Sequence, residues 1–455
     1  MENTFTVNKT LITLIESKKF GVVKEILITM NSVDIAELLE SLPNEILIRV
    51  FRLLPKEIAA ETFVEMESDL QELLIKGFSD NELKQIINEM YADDAVDIIE
   101  EMPANVVNRI LKQTTPAMRK DINSLLKYPE DSAGSVMTTE FVALKSGITV
   151  EEAIKQIRKS AVNSATVNTC YITQRDRILL GFVELSTLII SNGDALIDDI
   201  MERNIISVTT DVDQEYVAKT FNKYDVLALP VVDNENRLVG IITVDDAIDV
   251  METEATEDIE KMVAILPSEK SYFKTGVVKT FLTRIPWLLL LMVSATFTGL
   301  IISSFQEKLA IFPALIAFIP MIMGTAGNSG SQASVTIIRS ISLGDVHFSD
   351  IGKVILKEIR VAFLCGIILT AVNFVKVWLV DILLLNNGAN LLDNLVVCLT
   401  LMVTVIIAKI VGCTLPLLAQ KIGLDPAVMA SPFITTIVDA LSLLVYFLIA
   451  ALILF

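Results

Sequence analysis

Residues 320–332 read PMIMGTAGNSGSQ, and they sit inside a stretch otherwise apolar enough to cross a bilayer. Pro320, the glycines Gly324, Gly327 and Gly330, the amides Asn328 and Gln332 and three hydroxyls are poor material for a lipid-facing helix. Irregular backbone at membrane depth is tolerated only where it is buried in protein or lines a water-filled path. The run is therefore expected to interrupt a span and to line a pore or substrate site. It offers oxygen dipoles and no thiol or imidazole, a donor set that suits a hard cation.

A second feature shares that chemistry. In GLDPAVMASPFITTIVDALSLL, from Gly423 to Leu444, Asp439 lies well inside the last apolar stretch, with Asp425, Pro432, Thr435 and Thr436 before it. A carboxylate at mid-membrane costs about 2.5–3.5 kcal/mol on insertion scales, so it is expected to face a cavity, a partner or an ion. Pro432 would free a backbone carbonyl and the threonines add hydroxyls. Magnesium keeps several waters and takes one or two carboxylates, which a single Asp beside polar backbone fits better than it fits a dehydrated calcium cage. The structural alternative is a salt bridge from Asp439 to Lys409 or Lys376. For the glycines the alternative is close helix packing, since Gly324 and Asn328 have small-xxx-small spacing.

A third group of carboxylates lies far from these spans. Asp93 and Asp97 are an i, i+4 pair, which repels on one helix face, and Glu61 falls on another helix of the same region. Asp245, Asp246 and Asp249 lead into Glu252, Glu254, Glu257, Asp258 and Glu260. Carboxylates about 4 Å apart near a surface repel by roughly 4 kcal/mol, so such faces close only around a cation. The plainer alternative is a solvated acidic face, with Asp93 and Asp94 as capping residues.

The elements that must position these groups divide by charge. Residues 1–280 carry 48 acidic against 28 basic side chains, a net of −20, while 281–455 carry 8 against 9, a net of +1. An acidic soluble part thus precedes a nearly uncharged membrane part. The acidity disfavours nucleic acid and favours metal cations or basic partners. Four cysteines without a CxxC pair and one histidine, His347, leave little for thiol or soft-metal chemistry. No Walker-type phosphate loop occurs, and no enzymatic motif is found. The start MENTFTVNKT lacks a basic-then-apolar pattern, so no signal peptide is expected and the N-terminal part should stay cytoplasmic.

From about residue 34 to 114 a phrase recurs roughly every dozen residues: SLPNE, LLPKE, EMESD, GFSDN, EMYADD, EMPAN. Pro or a small polar residue followed by acids suits a helix start, and the apolar spacing between is helical. A superhelical stack of short helices is expected over 1–131. Residues 132–250 hold a tandem α+β repeat, with a DNEN hairpin turn in the second copy, and it resembles a pair of cystathionine-β-synthase (CBS) modules, 132–198 and 199–250. A charged helix follows over 251–280. Five apolar stretches, 286–305, 309–340, 356–385, 391–419 and 428–455, each reach the roughly 20 residues a span needs. Arg284, Arg339, Lys353, Lys357, Arg360 and Lys421 fall on one side, which predicts the N-terminus inside and the C-terminus outside, with Lys308 as the exception. The fold class is a mainly α membrane protein, with five transmembrane helices after a cytosolic helical superhelix and a tandem CBS domain.

In this order the chain resembles the MgtE family of magnesium channels and transporters over almost its whole length. The most specific matches are Pro320, Gly324-x-x-Gly-Asn-Ser-Gly-Ser-Gln332, and Asp425-Pro-Ala followed by Pro432 and Asp439. The resemblance implies a homodimer in the plasma membrane, with its pore between second and fifth spans and magnesium held through water by Asp439. Asn328, Gly324 and Thr435 would lie nearby. It also implies cytosolic magnesium sensing at Glu61, Asp93 and Asp97, at Asp213, Glu215, Asp225, Asp246 and Asp249, and on the connecting (plug) helix at Glu254, Glu257 and Asp258. Some relatives have asparagine where this chain has Ser431. Some bind ATP between the CBS modules with an aromatic where this chain has Val226, a departure that counts against carrying ATP over to this chain. An exchanger of divalent cation for sodium or protons, or a non-transporting CBS sensor of adenosine nucleotides, would use the same parts differently.

Overall fold

A computed structural model describes residues 10–160, 164–267, 272, 275–384, 390–429 and 431–454, apart from the side chains of 308, 381–383 and 431. The first nine residues, the side chains of Lys308 and Ser431 and the distal ends of the third and fifth apolar stretches lie outside it. The chain forms two compact units, 1–251 and 252–455.

In the first unit a helical stretch over 10–16 precedes α1 (Phe20–Leu27), α2 (Ser32–Glu40), α3 (Asn44–Phe51), α4 (Lys56–Val64), α5 (Ser68–Gly77), α6 (Asp80–Ile87), α7 (Ala92–Glu101), α8 (Ala104–Gln113) and α9 (Pro116–Leu125). Their N-caps are Lys19, Asn31, Pro43, Pro55, Glu67, Ser79, Tyr91, Pro103 and Thr115, one every twelve residues. The repeat glimpsed in the sequence is thus a strict period that starts earlier, at Lys19. The caps show why each turn restarts. Ser79 and Glu82 form a reciprocal capping box, Asn31 accepts from the Val33 N–H, and Pro43, Pro55 and Pro103 end one helix while fixing the entry to the next. Four and eight residues after most caps come the buried side chains, Val23 and Leu27, Ile35 and Leu39, Leu47 and Phe51, Ala59 and Phe63. Helices two apart pack together, α2 on α4, α4 on α6 and α6 on α8, so two layers share one core. Gln71 occupies a core position in α5 and is satisfied there by donating to the Phe63 carbonyl at 2.9 Å.

Two three-stranded sheets follow. β1 (Phe141–Lys145), helix α10 (Val150–Ser160), β2 (Thr166–Thr173) and β3 (Leu179–Glu184) make the first, and β4 (Val208–Thr209), α11 (Gln214–Tyr224), β5 (Ala228–Val232) and β6 (Leu238–Thr243) the second. Each has a parallel pair crossed by a helix and an antiparallel hairpin. The DNEN turn works through Asp233, whose carboxylate accepts from the Glu235 and Arg237 N–H groups at 2.9 and 2.8 Å. The hairpins bond each other reciprocally, Leu179 N–H to Asn236 O and Leu238 N–H to Arg177 O. One hydrophobic cluster runs from Leu11 through the α1–α9 stack into Val208, Phe221, Leu229, Ile242 and Ala247 of the second module. That shared core fixes α7 against the start of α12 (Val244–Met262).

The second unit holds α13 (Val277–Ser304), α14 (Gln306–Ile311), a 3-10 turn Pro313–Phe318, α15 (Ile319–Ser342), α16 (Ile351–Lys376), α17 (Leu391–Lys421) and α18 (Ser431–Leu454). Among the described residues four helical segments are long and apolar enough to cross a membrane: Val277–Ser304, Phe348–Val380, Leu391–Lys421 and Pro426–Leu454. The second apolar stretch differs from expectation. It breaks at Phe312 and Pro313, before the polar run, and α15 then continues unbroken through all of it. The hydroxyls need no break in the backbone to find partners, because they bond back to their own helix: Ser329 donates to Thr325 O at 2.8 Å and, just after the run, Thr336 to Gln332 O at 2.8 Å. The helix α17 is central and packs on α15, α16 and α18.

Candidate functional site

In the first unit α7 carries Asp93, Asp94 and Asp97 under the second CBS module, where Asp246 of α12 and Glu140 before β1 come close enough to act on them electrostatically. Burial, then the Asp246 charge, pushes Asp93 up to about 6, against opposing hydrogen bonds from Thr138 and the backbone. Burial and the charges of Asp93 and Asp246 push Asp94 up to about 7. Asp97 keeps an exposed edge, yet desolvation and the same neighbours push its carboxyl up to about 7. Glu140 is pushed up to about 8, by burial first and then by Asp93 and Asp94. Burial also raises Asp246, whose carboxylate accepts from the Thr243 N–H at 3.2 Å. No lysine or arginine is among the main influences on these five groups. Asp93 Oδ1 is buried with no hydrogen-bond partner.

Around this cluster Glu65, at the end of α4, is raised by burial and by Asp249, and Glu61 acts on the Tyr91 phenol. Glu61, Asp93, Asp97, Asp246 and Asp249 thus belong to one acidic region. Asp213, Glu215 and Asp225 serve α11: Asp213 caps it by accepting from the Glu215 N–H, Glu215 pairs with Lys219 at 2.7 Å, and Asp225 ends it in a left-handed conformation. Among the described residues no three His, Cys, Asp or Glu converge as a direct ligand set. Glu65 and Glu140 carry no sequence signal of their own, and Asp94 reads from sequence only as a capping residue. Glu140 lies outside any acidic run, and only the chain path through β1 brings it there.

In the second unit the glycines let three helices meet. A Cβ at Gly412 of α17 would strike the Gly330 carbonyl of α15. At Gly330 it would lie 3.2 Å from the Ala408 carbonyl and 3.3 Å from Val438, and at Gly327 it would lie 2.9 Å from Thr435 and 3.5 Å from Asp439 Oδ1. Gly327 thus leaves room for the α18 carboxylate against α15. Asp439 Oδ1 is buried and has no hydrogen-bond partner. Asp393 and Gln420 also leave an oxygen unpartnered, but both lie in terminal turns of α17, whereas Asp439 is two turns into α18. Lys409 is held by Glu358 at 3.6 Å, and Lys376 stacks over the Phe318 ring.

The other residues of the two motifs surround this point. Ser331 and Thr435 hydroxyls are 3.3 Å apart. Gly324, Asn328 and Gln332 form an exposed stripe on α15, and Asn328 and Gln332 line an open cavity of about 790 Å³. Pro320 sits in the first turn of α15. Pro432 sits in the first turn of α18, so it breaks no helix there, and its carbonyl accepts from Thr436 Oγ1 at 3.0 Å. This corrects the expectation of a freed carbonyl in mid-span. At the end of α12, Lys261 bridges Glu257 at 2.5 Å and Asp425 at 2.7 Å, which raises its pKa despite desolvation. Ser342 donates to Asp258 at 3.2 Å. Glu257, Asp258 and Asp425 are therefore engaged with protein groups, and Glu254 lies on the same helix with contacts of its own. Lys261 has no distinguishing signal in the sequence, where it stands as a single base beside the acidic run.

A helical stack joined to paired CBS-like sheets, together with a bundle of apolar helices around a polar core, is the architecture of a membrane transporter with a cytosolic part. Family models agree along the chain: MgtE intracellular N domain matches residues 30–131, CBS domain 197–253, and divalent cation transporter 319–449. The magnesium transporter MgtE of Thermus thermophilus is 35% identical over 435 residues, 95% of each chain. That of Bacillus subtilis is 31% identical over 96% of this chain and 95% of its own. The soluble part of a magnesium transporter superposes with a TM-score of 0.52 at 30% identity, over 56% of this chain and 99% of that one. The cytosolic domain of the Mg2+ channel MgtE in complex with ATP superposes with a TM-score of 0.50 at 34% identity, over 53% and 99%. The chain belongs to the MgtE family.

Proposed function

We propose that this protein carries Mg2+ across the cell membrane as a homodimeric channel, with five spans, a cytoplasmic N-terminus and an external C-terminus. Its pore is the polar face of α15 with α18, and cytosolic Mg2+ closes it. The observation that carries this reading is the buried, unpartnered Asp439 oxygen beside Gly327. An uncompensated carboxylate at that depth is costly, and Lys409, the nearest competing explanation in the sequence, is engaged by Glu358. A hydrated divalent ion passing the site supplies the missing charge. Asn328, Gly324 and Thr435 border the passage, and Pro320, Gly330, Gln332, Asp425 and Pro432 shape it. The driving force is the membrane potential, about 4.6 kcal/mol for a divalent ion per 100 mV.

Closure rests on the crowded carboxylates. Glu61, Asp93, Asp97, Asp246 and Asp249 hold regulatory Mg2+ through water and keep the helical stack on the second CBS module. When Mg2+ leaves, they repel. A ligand shifts an equilibrium only through its differential affinity for the two states, and an ion bridging two faces binds the closed one better. Asp213, Glu215, Asp225, Glu254, Glu257 and Asp258 belong to the same regulation on the strength of the family resemblance. ATP at the CBS pair is an optional modulator, supported by the nucleotide complex of a relative's cytosolic domain.

The test is Mg2+ uptake into proteoliposomes at controlled internal Mg2+, wild type against Asp439→Asn. Uptake should fall at least about a hundredfold, in line with loss of a charge worth a few kcal/mol to an ion in the span. Wild-type uptake in the variant would refute the pore assignment. Uptake that requires a sodium or proton gradient would replace the channel with an exchanger.

A further inference from the structure

Glu358 of α16 and Lys409 of α17 are 8% and 5% exposed and 3.6 Å apart, a charged pair buried within the apolar unit. Removing a buried partner leaves a charge that nothing compensates, whereas replacing both with neutral groups of similar size is tolerated. This pair is not sealed in the core. With Asn328, Ser331, Gln332 and Thr336 it lines the cavity on α15. Those four positions are spaced i, i+3, i+4 and i+8, so they form one helix face, and over about 12 Å they lead from the Gly327 level towards the Ser342 end. Ser331 joins this cavity to the Asp439 site, because its hydroxyl also meets Thr435, one turn from Asp439.

We infer that the Glu358–Lys409 pair sets the charge of the ion's next stop after Asp439. Paired, the two groups keep the cavity lining neutral and dipolar, so a hydrated divalent ion can enter it and leave. Conduction requires binding strong enough to admit the ion and weak enough to release it. Lys409 alone would repel a divalent ion twice as strongly as a monovalent one. Glu358 alone would make a second carboxylate trap in series with Asp439. The pair is thus a determinant of passage and of divalent-over-monovalent selectivity. The inference rests on the pore reading above.

The experiment compares Mg2+ and Na+ uptake by wild type, Glu358→Gln, Lys409→Met and the double variant in proteoliposomes, with Asp439→Asn alongside. Glu358→Gln should lower maximal Mg2+ uptake at least about tenfold while Na+ leak changes less, as the charge dependence of repulsion requires. Lys409→Met should lower the half-saturating Mg2+ concentration and the maximal rate together, each by about tenfold, the mark of a trap. The double variant should recover most of the wild-type rate. A charge swap, Glu358→Lys with Lys409→Glu, gives a second reading where a single variant fails to fold. Single variants with wild-type rate, half-saturation and selectivity would overturn the inference. So would folded double and swapped variants as impaired as the singles, since the defect would then be one of packing. Unaltered uptake by Asp439→Asn would instead count against the pore reading itself.

Discussion

The two acidic regions of this molecule use the same side chain in opposite ways. Under the second CBS module, Asp93, Asp94, Asp97, Glu140 and Asp246 crowd one another without a basic neighbour among their main influences. In the span, Asp439 stands with Gly327, Thr435 and hydroxyls around it. On the proposed reading, a cation among the crowded, ionised oxygens offsets their repulsion, so occupancy and docking become one event. A lone carboxylate among dipoles attracts a divalent ion but has too few ligands to hold it. The first arrangement suits sensing and the second suits transit.

After loss of the carboxylate itself, filling the space beside it should have the largest effect. Gly327→Leu puts side-chain atoms where a Cβ already meets Thr435 at 2.9 Å and Asp439 at 3.5 Å. Mg2+ uptake should fall more than about tenfold, the scale of overpacking by 1–3 kcal/mol at a helix contact. Mg2+-dependent protection of α7 from hydrogen exchange should not change, and a change there would show that the two regions do not work separately.

The crowded site should respond to pH. Its carboxyls keep their protons in the packed protein up to about 6 for Asp93, 7 for Asp94 and Asp97 and 8 for Glu140, while in the unfolded chain they release them near 4. Raised carboxyls destabilise the packed state once ionised. The penalty is absent below pH 4, grows as pH rises from about 4 through 6 to 8, and is complete above 8. Without Mg2+, the protection of α7 relative to the intrinsic exchange rate at each pH should therefore be lower at pH 8 than at pH 6, and added Mg2+ should restore more of it at pH 8. Equal protection at both pH values would mean that these groups do not face one another.

The smallest effect expected is at Lys261. Lys261→Met removes a partly exposed bridge between Glu257 and Asp425, so stability should fall by about 1 kcal/mol or less, as for exposed pairs. Uptake at low internal Mg2+ should stay near wild type. A collapse of uptake would assign Lys261 to the transport path.

The sequence showed the helical stack because its twelve-residue period puts a cap and two core positions in each turn of the stack. Asp439 was legible because a carboxylate in an apolar run has few benign explanations. The polar run was read as broken backbone, yet it is helical. Glycine spacing is the same whether a helix breaks or another helix comes close, and only the Gly330–Gly412 approach decides it. Glu140, Glu65 and Glu358 gave no local signal, and Lys409 stood out as a base in an apolar run without revealing that its partner is Glu358 rather than Asp439.

The most direct test of the contrast is Mg2+ uptake against internal Mg2+, measured together for Asp439→Asn and for Asp93→Asn with Asp97→Asn. The lone site should set the height of the curve and the crowded site its position. Asp439→Asn should then lower uptake at every internal concentration, while the double variant should keep the maximal rate and lose inhibition by internal Mg2+. Normal maximal uptake in Asp439→Asn, or unchanged inhibition in the double variant, would contradict this division of labour.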